Sequence, residues 1–522
     1  MFLVNLNVII RIQNYTLKGD TMKKLLLFTM LIFTSFTLMG CDTKTDDPIV
    51  DDVSIFDKMP LAEDLEISAD FDASDIGFLD IYYLNDFHGA ILDDSSDEIG
   101  FANIANLLVT QKQLYPENTI ILAGGDMLQG SALSNYFSGL STINIMNSMY
   151  FDAFTVGNHE FDWGIDVVTN YFDGNEDNGE ARFPLLGANV FYKGTTTIPE
   201  YIDPYVIIER GDLKIGIIGT IGAGLEYSIA ASKIEDYEFG DPVDAIREYA
   251  YELRTEMDVD IVLVASHDTG ATLNSQISAL TGDYKIDAIF NGHSHSEYAN
   301  TNLGIPVIQS GSSGEYVGHV RLNFTNNILT SSSVENIGFY DTELLRTPNS
   351  TVLEIIEYYR LETDDLFNTP IITSGEYSSQ TDLSIWIARM MRVSTGADIG
   401  FQNGGGTRTS ISDDDVINLS MLYQVWPFDN VVKTVYLTGE IIKSQMNYLI
   451  YDTEIETFDN DTLYKVATND YTFDSTSQFY NGEDPFNTGI ILRDLAESEL
   501  IKQSLVYDYF YTDNPIITTE ED

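Results

Sequence analysis

The sequence predicts an α/β protein: a layered domain over residues 78–345, a linker helix within 346–369, and a second α+β domain over 370–522. Three observations carry that expectation. Short apolar runs alternate with helix-length amphipathic stretches as far as residue 295, the pattern of strands layered with helices. Five of those runs stop at Gly, Asn, Asp or His, so polar side chains gather at strand ends. Beyond Pro370 the composition shifts, bringing a Gly-rich loop and a Trp-Pro-Phe turn.

Length and composition set the limits. A chain of 522 residues with 44% apolar content has room for two or three domains with real cores. The formal charge of −56 argues against polymeric nucleic acid as a partner, because such binding sets Lys and Arg against phosphate. The acidity reads instead as a solvated, self-repelling surface. No stretch points to an obligate protein partner.

Residues 1–41 read as a leader and signal peptide. Met22-Lys23-Lys24 precedes an apolar run from Leu25 to Phe33, followed by Leu38-Met39-Gly40-Cys41. A basic start with a short apolar core marks a secretory signal, and the core is too short to span a bilayer. Leu-x-Gly-Cys resembles a bacterial lipobox. That implies lipidation at Cys41 and an exported protein held on the outer face of the cell membrane. Cys41 is the only cysteine, which suits an exported chain without disulfides. Residues 42–77 hold twelve Asp and Glu against Lys44 and Lys58 alone, so a flexible acidic tether is expected.

The first strand, within Ile76–Leu84, runs into Asn85-Asp86-Phe87-His88-Gly89. Phe101–Leu108 has the helical period and ends near Pro116. Strand 119–122 delivers Gly124-Gly125-Asp126, and a helix over 140–149 precedes the next strand. That strand, Phe154-Thr155-Val156, stops at Gly157-Asn158-His159-Glu160-Phe161-Asp162. Asp173–Glu180 approaches calcium-loop spacing, but Asn178 and Pro184 stand where Gly and Glu belong, so it reads as an acidic surface loop. Leu213–Thr220 and Asp260–Val264 are apolar enough for central strands, with a helix over 241–256 between them. The second leads to His267-Asp268, and Ala288-Ile289-Phe290 leads to Asn291-Gly292-His293-Ser294-His295.

Ile305–Gln309 and Val317–Phe324, joined by Gly311-Ser312-Ser313-Gly314, are expected to pair antiparallel and complete a sheet. His319, inside the second run, is expected to be structural. A helix over 350–367, stopped by Pro370, bridges to the second domain. There a helix over 381–393, strand Val431–Leu437, helix Gly439–Leu449 and a strand end at Lys465–Tyr471 are expected.

Five of the six histidines sit at strand ends beside Asp and Asn, which scattered structural histidines would not do. In open α/β sheets, ligands bind outside the carboxyl ends of strands. Imidazole, carboxylate and amide oxygen together suit Zn, Mn, Fe or Co.

Asp86-x-His88, Gly125-Asp126, Gly157-Asn158-His159-Glu160, His267 and Gly292-His293-Ser294-His295 resemble, in order and spacing, the calcineurin-like binuclear metallophosphoesterases. The resemblance covers residues 78–325, and its spelling is that of the 5′-nucleotidase/UDP-sugar hydrolase branch. It implies an αββα layered fold and two divalent ions. Asp126 would bridge them, with Asp86, His88 and His295 completing one site and Asn158, His267 and His293 the other. A metal-activated hydroxide would attack phosphorus in line. His159, oriented by Asp162, would stabilise the transition state and assist the leaving oxygen.

In the second domain, Asn403-Gly404-Gly405-Gly406-Thr407-Arg408 and Pro427-Phe428-Asp429-Asn430 resemble the nucleotide-binding signatures of the 5′-nucleotidase C-terminal domain. The resemblance implies a substrate pocket of Asn403, Gly405, Arg408, Phe428, Asn430 and Tyr471, with Phe428 and Tyr471 clamping a base. Two places depart from the family. Gly375-Glu376-Tyr377-Ser378-Ser379-Gln380 lacks the family's arginines, and Gly-Gly-Asp-Gly is replaced by Asn481-Gly482-Glu483-Asp484. The expected substrate is a nucleoside 5′-monophosphate. The alternatives are a UDP-sugar, a 2′,3′-cyclic nucleotide or 3′-nucleotide, or a binding lipoprotein without turnover.

Overall fold

The computed structural model describes residues 76–92 and 98–517. The signal peptide with Cys41, and the tether as far as residue 75, lie outside the described residues. All the elements below fall within one body, Lys58–Asp522.

In chain order the layered part begins with β1 (Phe78–Leu84), α1 (Phe101–Leu114), β2 (Thr119–Ala123), α2 (Leu140–Ser148), β3 (Ala153–Thr155) and β4 (Leu185–Leu186). It continues with β5 (Tyr205–Arg210), β6 (Leu213–Ile221), α3 (Pro242–Thr255), β7 (Ile261–His267) and β8 (Ala288–Asn291). Strands β9 (Glu297–Asn300), β10 (Val307–Ser310), β11 (Tyr316–Thr325) and β12 (Ile328–Gly338) complete it, and helix α4 (Ser350–Phe367) follows. Two six-stranded sheets result, ordered β12-β11-β1-β2-β3-β4 and β9-β10-β8-β7-β6-β5.

The strands alternate because side chains on a strand point to opposite faces. Ile81 and Tyr83 of β1 join Ile215, Leu263 and Phe290 of the other sheet in a core between the sheets. Tyr82 and Leu84 face outward, into a second core with α1, α2 and α4. Helix α3 covers the far side of the second sheet through Ile246, Ala250 and Leu253. The order is therefore helices, sheet, sheet, helix: the αββα sandwich. Each fully buried large side chain contributes roughly 1.5–3 kcal/mol, so these three cores carry most of the stability.

Helix α4 spans the predicted residues and begins at an Asn349 cap that accepts from the Val352 amide. It is docked, with Val352, Ile355, Ile356, Tyr359 and Phe367 in the core that contains Leu84.

The expected pairing of Ile305–Gln309 with Val317–Phe324 does not occur. Strand β10 lies in the second sheet beside β8 and β9, whereas β11 lies in the first, between β1 and β12. The connecting turn has positive φ at Gly311 (69°), Ser313 (51°) and Gly314 (72°), which carries the chain from one sheet to the other. The hairpin partner of β11 is β12, reached through Asn326-Asn327, both with positive φ. His319 is structural as expected: it stacks on Tyr82 at 4.8 Å and bonds Asp80 at 2.9 Å.

The second part is a five-stranded mixed sheet of Ile450–Thr453, Ile399–Gln402, Leu463–Asn469, Val431–Thr438 and Glu483–Ile491, in that order. Helix Gln380–Thr395, with a Ser379/Asp382 capping box, packs Trp386, Ile387 and Met391 against it. The predicted helix over Gly439–Leu449 is shorter, Gly439–Gln445, because Ile450 begins an edge strand. Among the described residues no helix is long and apolar enough to cross a membrane.

Candidate metal centre and substrate cavity

The five strand ends converge, but from two sheets rather than one. Strands β1, β2 and β3 supply Asp86, His88, Asp126 and Asn158; β7 and β8 supply His267, His293 and His295. Asp86, His88, Asp126, His293 and His295 hold positive φ of 48°, 51°, 52°, 69° and 52°. Asp and His enter that region more readily than most residues with a Cβ, and such left-handed positions gather where geometry serves function. Left-handed turns at the strand ends aim these groups at one another. Gly157 is required by close approach, since a Cβ there would stand 2.3 Å from Asp126 Oδ1.

Asp86, His88 and His295 form one group of donors and Asp126, His267 and His293 another, each with its atoms within 4.8 Å of one another. Asn158 Oδ1 lies 2.9 Å from His293 Nδ1, which places it with the second group. The two groups meet where His267 Nε2 is 3.0 Å from Asp126 Oδ2 and 4.0 Å from Asp86 Oδ1.

The donors fit metal binding. His88 donates from Nδ1 to the Gln129 carbonyl (3.0 Å) and His267 from Nδ1 to that of Gly124 (2.9 Å), which leaves each Nε2 with its lone pair inward. His267 Nε2 is fully buried, and its near contact is the Asp126 carboxylate at 3.0 Å, out of line for a good hydrogen bond. His88 Nε2 lies 3.1 Å from His295 Nε2, close enough for the two rings to share a proton or to ligate one ion. Burial, helped by nearby positive charge, pushes His293 and His295 down to about 4, so both rings stay neutral.

His159 stands beside this cluster. Its amide donates to Asp126 Oδ1 (2.8 Å), and its Nδ1 lies 2.7 Å from Asp162 Oδ2. Burial would lower the imidazole pKa, but the Asp162 and Asp126 carboxylates outweigh it and raise it to about 9. The Phe428 ring stacks on that imidazole at 5.5 Å and 20°. A cavity of about 440 Å³ joins the two parts here, with Asp126, Asn158, His159 and His293 on one wall and Asn403, Gly405, Arg408, Phe428, Asn430 and Tyr471 on the other. Every substrate-binding residue expected from the sequence therefore faces the donor cluster. A second cavity, of about 640 Å³, meets the cluster at His88 and His295 and shares Arg408 and Phe428 with the first.

Residues 79–297 match the calcineurin-like phosphoesterases, and residues 362–454 match the 5′-nucleotidase C-terminal domain. The chain joins a calcineurin-like phosphoesterase domain to a 5′-nucleotidase C-terminal domain. It is 28% identical to the cell wall protein Lmo0130 of Listeria monocytogenes, over 76% of this chain and 61% of that protein. It is 27% identical to an apyrase of Tabanus yao, over 69% of this chain and 71% of that protein. The fold resembles the crystal structure of a 5′-nucleotidase precursor from Thermus thermophilus, with a TM-score of 0.68 at 20% identity, covering 81% of this chain and 96% of that one. The family uses two divalent metal ions, and the described residues offer two groups of donors that could hold an ion.

Neither departure from the family pattern lines the cavity itself, but the first abuts it, since Gln380 donates to the carbonyl of Arg408 (2.7 Å), which does. Glu376 is tied to the C-terminal segment, accepting from the amide and hydroxyl of Thr512 (both 3.0 Å). Asn481 and Gly482 form the turn before the exposed edge strand Glu483–Ile491.

Sequence reasoning missed three things. Glu160, buried at the centre, takes the amides of Asp126 and Gly157 on one oxygen (2.8 Å each) and that of Met127 on the other (2.9 Å). One carboxylate thus ties together the loops that carry Asp126 and Asn158. The Pro427 carbonyl accepts from Gln129 (3.1 Å) and Asn135 (2.8 Å) of the layered part and from Arg493 (3.1 Å) of the second. That hub holds the Phe428 loop against the cluster. Lys233 and Ser228, from the segment after β6, also line the cavity. Of these only Glu160 carried a signal, by its place inside the Gly-Asn-His-Glu motif.

Proposed function

We propose that this chain is a metal-dependent phosphoesterase that hydrolyses nucleoside 5′-monophosphates to nucleoside and phosphate. One observation carries the reading: the two donor groups and the aromatic-walled pocket open onto the same cavity, with His159 between them. We further assign residues 78–345 as the catalytic domain, 346–369 as the linker and 370–522 as the substrate domain.

Asp86, His88 and His295 would hold one divalent ion, and Asn158, His267 and His293 the other, with Asp126 bridging. Bound there, the pair would neutralise phosphoryl oxygens and make hydroxide available at neutral pH. The chain supplies the rest. Glu160 fixes the Asp126 and Asn158 loops, so the donors need no rearrangement. Asp162 holds Nδ1 of His159 and keeps the ring protonated, and one face of that imidazole lies against Phe428. Nε2 is then free to give its proton to the departing oxygen. Arg408, with its guanidinium 5.8 Å from the Phe428 ring, supplies positive charge to the phosphate from the second domain. Phe428 and Tyr471 offer stacking surface for a base, and Asn403 and Asn430 offer amides for polar contacts.

The leader and Cys41 support a place on the outer face of the cell membrane, and the likeness to a cell wall protein agrees with export. The test is phosphate release by metal-reconstituted protein from AMP, UDP-glucose, 2′,3′-cyclic AMP and p-nitrophenyl phosphate. Preference for AMP is expected. Turnover of the aryl phosphate alone would refute the nucleotide assignment.

A further inference from the structure

Phe428 covers one face of His159 and walls the cavity, yet it belongs to none of the apolar cores among the described residues. It stands half-buried where the two cavities meet, with the Arg408 guanidinium 5.8 Å from its ring. A ring without a packed socket takes its position from its backbone. Whatever fixes residues 426–429 therefore fixes the aromatic wall.

One side chain grips that backbone from inside the second domain. Arg493 is 4% exposed. Its Nη1 donates to the carbonyls of Trp426 (3.0 Å) and Pro427 (3.1 Å), and its Nη2 donates to the Asp429 carboxylate. The guanidinium also lies over the Tyr423 ring, 3.6 Å from its centroid. Residues on both sides of Phe428 are thus tied to one planar fork. The fork is itself anchored. Helix Leu492–Ser504 buries Leu492, Ala496 and Leu500 in the core that holds Trp426, and the Leu492 amide donates to the Asn430 carbonyl at 2.8 Å. A buried guanidinium is costly unless its donors are met. Here the groups that meet them all lie within residues 423–429.

We propose that Arg493 is a positioning residue that sets nucleoside affinity, acting through Phe428 without touching substrate. The inference rests on the nucleotide reading above. The fork offers both a charge opposite Asp429, which lines the cavity, and a geometry that spans two carbonyls. The geometry carries the role. A lysine ammonium at this position would still meet Asp429, but as a point charge it cannot reproduce the planar grip on Trp426 and Pro427.

The experiment measures adenosine affinity by calorimetry in the metal-loaded chain. It compares wild type, Arg493→Met, Arg493→Lys, Phe428→Ala and the double variant Arg493→Lys/Phe428→Ala. Arg493→Lys keeps a cation beside Asp429 and carries the test if Arg493→Met does not fold, with thermal midpoints as the check. Affinity should fall about tenfold in each single variant, the scale of one base–aromatic stack, and no further in the double variant. KM for AMP should rise by the same factor relative to that for p-nitrophenyl phosphate. Wild-type affinity in Arg493→Lys would overturn the proposal, because charge alone would then suffice. Losses that multiply in the double variant would also overturn it, since Arg493 would then act apart from Phe428. A wild type that hydrolyses p-nitrophenyl phosphate but binds no adenosine overturns the positioning role together with the nucleotide reading.

Discussion

Nδ1 of His159 lies 2.7 Å from Oδ2 of Asp162, three residues later in the same turn. The pairing fixes one ring nitrogen and leaves the other for proton transfer. If His159 protonates the leaving oxygen, His159→Ala should lower kcat on AMP by about 10²–10⁴-fold. The loss on p-nitrophenyl phosphate should be much smaller, since nitrophenolate leaves without a proton. Asp162→Asn should show the same asymmetry, more weakly. Equal losses on both substrates would refute the acid role.

Glu160 is the positioning residue of the cluster. In Glu160→Gln two of its backbone donors would face an amide NH₂. Stability should fall by about 1.5–3 kcal/mol above pH 7, where the carboxyl, pushed up to about 7 by burial, is ionised. Metal affinity should weaken by roughly 10–100-fold, as when outer-shell partners are removed. Urea unfolding and metal titration check both; an unchanged metal affinity would leave Glu160 a purely structural group.

Metal binding should itself stabilise the fold. At about 100 times the dissociation constant a bound ion contributes roughly 2.7 kcal/mol, so a chelator should lower Tm in wild type. Asp126→Ala should lose activity and, with it, the chelator-sensitive part of Tm. Retained turnover in Asp126→Ala would refute the bridging assignment.

The Phe428 face is shared between His159 and the cavity. Phe428→Ala should raise KM for AMP relative to that for p-nitrophenyl phosphate by about tenfold, the scale of one base–aromatic stack. A proportional rise in both would mean that the ring serves only to place His159.

Acid stability should depend on Asp80. The residue is 1% exposed, yet its two oxygens each take a bond from Arg321 (2.6 Å), and His319 adds one at 2.9 Å. Burial raises its pKa, but the Arg321 and His319 bonds outweigh burial and hold it below the ordinary carboxylate value. A depressed carboxylate stabilises the fold above its unfolded pKa, about 3.9, and that stability is lost as pH falls through the folded value. Asp80→Asn should therefore be about 2–3 kcal/mol less stable at neutral pH, somewhat below a fully buried pair because Arg321 is partly solvated. The gap to wild type should close below about pH 4. A gap of equal size at pH 3 and pH 7 would sink the argument.

Much of the architecture was legible because local periodicity and punctuation act over a few residues. Helix α4 was readable as a stretch over 350–367 stopped by Pro370. The donor residues were readable because strand ends at Gly, Asn and His are local events. Strand pairing is not local. Ile305–Gln309 and Val317–Phe324 look like one hairpin, and only the Gly311–Gly314 turn, bent by contacts with Asn85 and Asp86, separates them into two sheets. The end of helix Gly439–Gln445 was missed for a similar reason, since Ile450 is claimed by a strand far earlier in the chain, Ile399–Gln402.

The sequence by itself determined which groups this protein brings to its centre: His and Asp at strand ends, an imidazole paired to a carboxylate three residues on, and an aromatic turn in the second domain. Residue type and short spacing fix those, because ligand chemistry and helical or strand geometry are local. Tertiary structure alone decided that two sheets share the donors, that Glu160 binds their loops, that Pro427 ties the domains and that Lys233 reaches the cavity. These are contacts between distant segments, chosen by the packing of the whole core rather than by any stretch of chain.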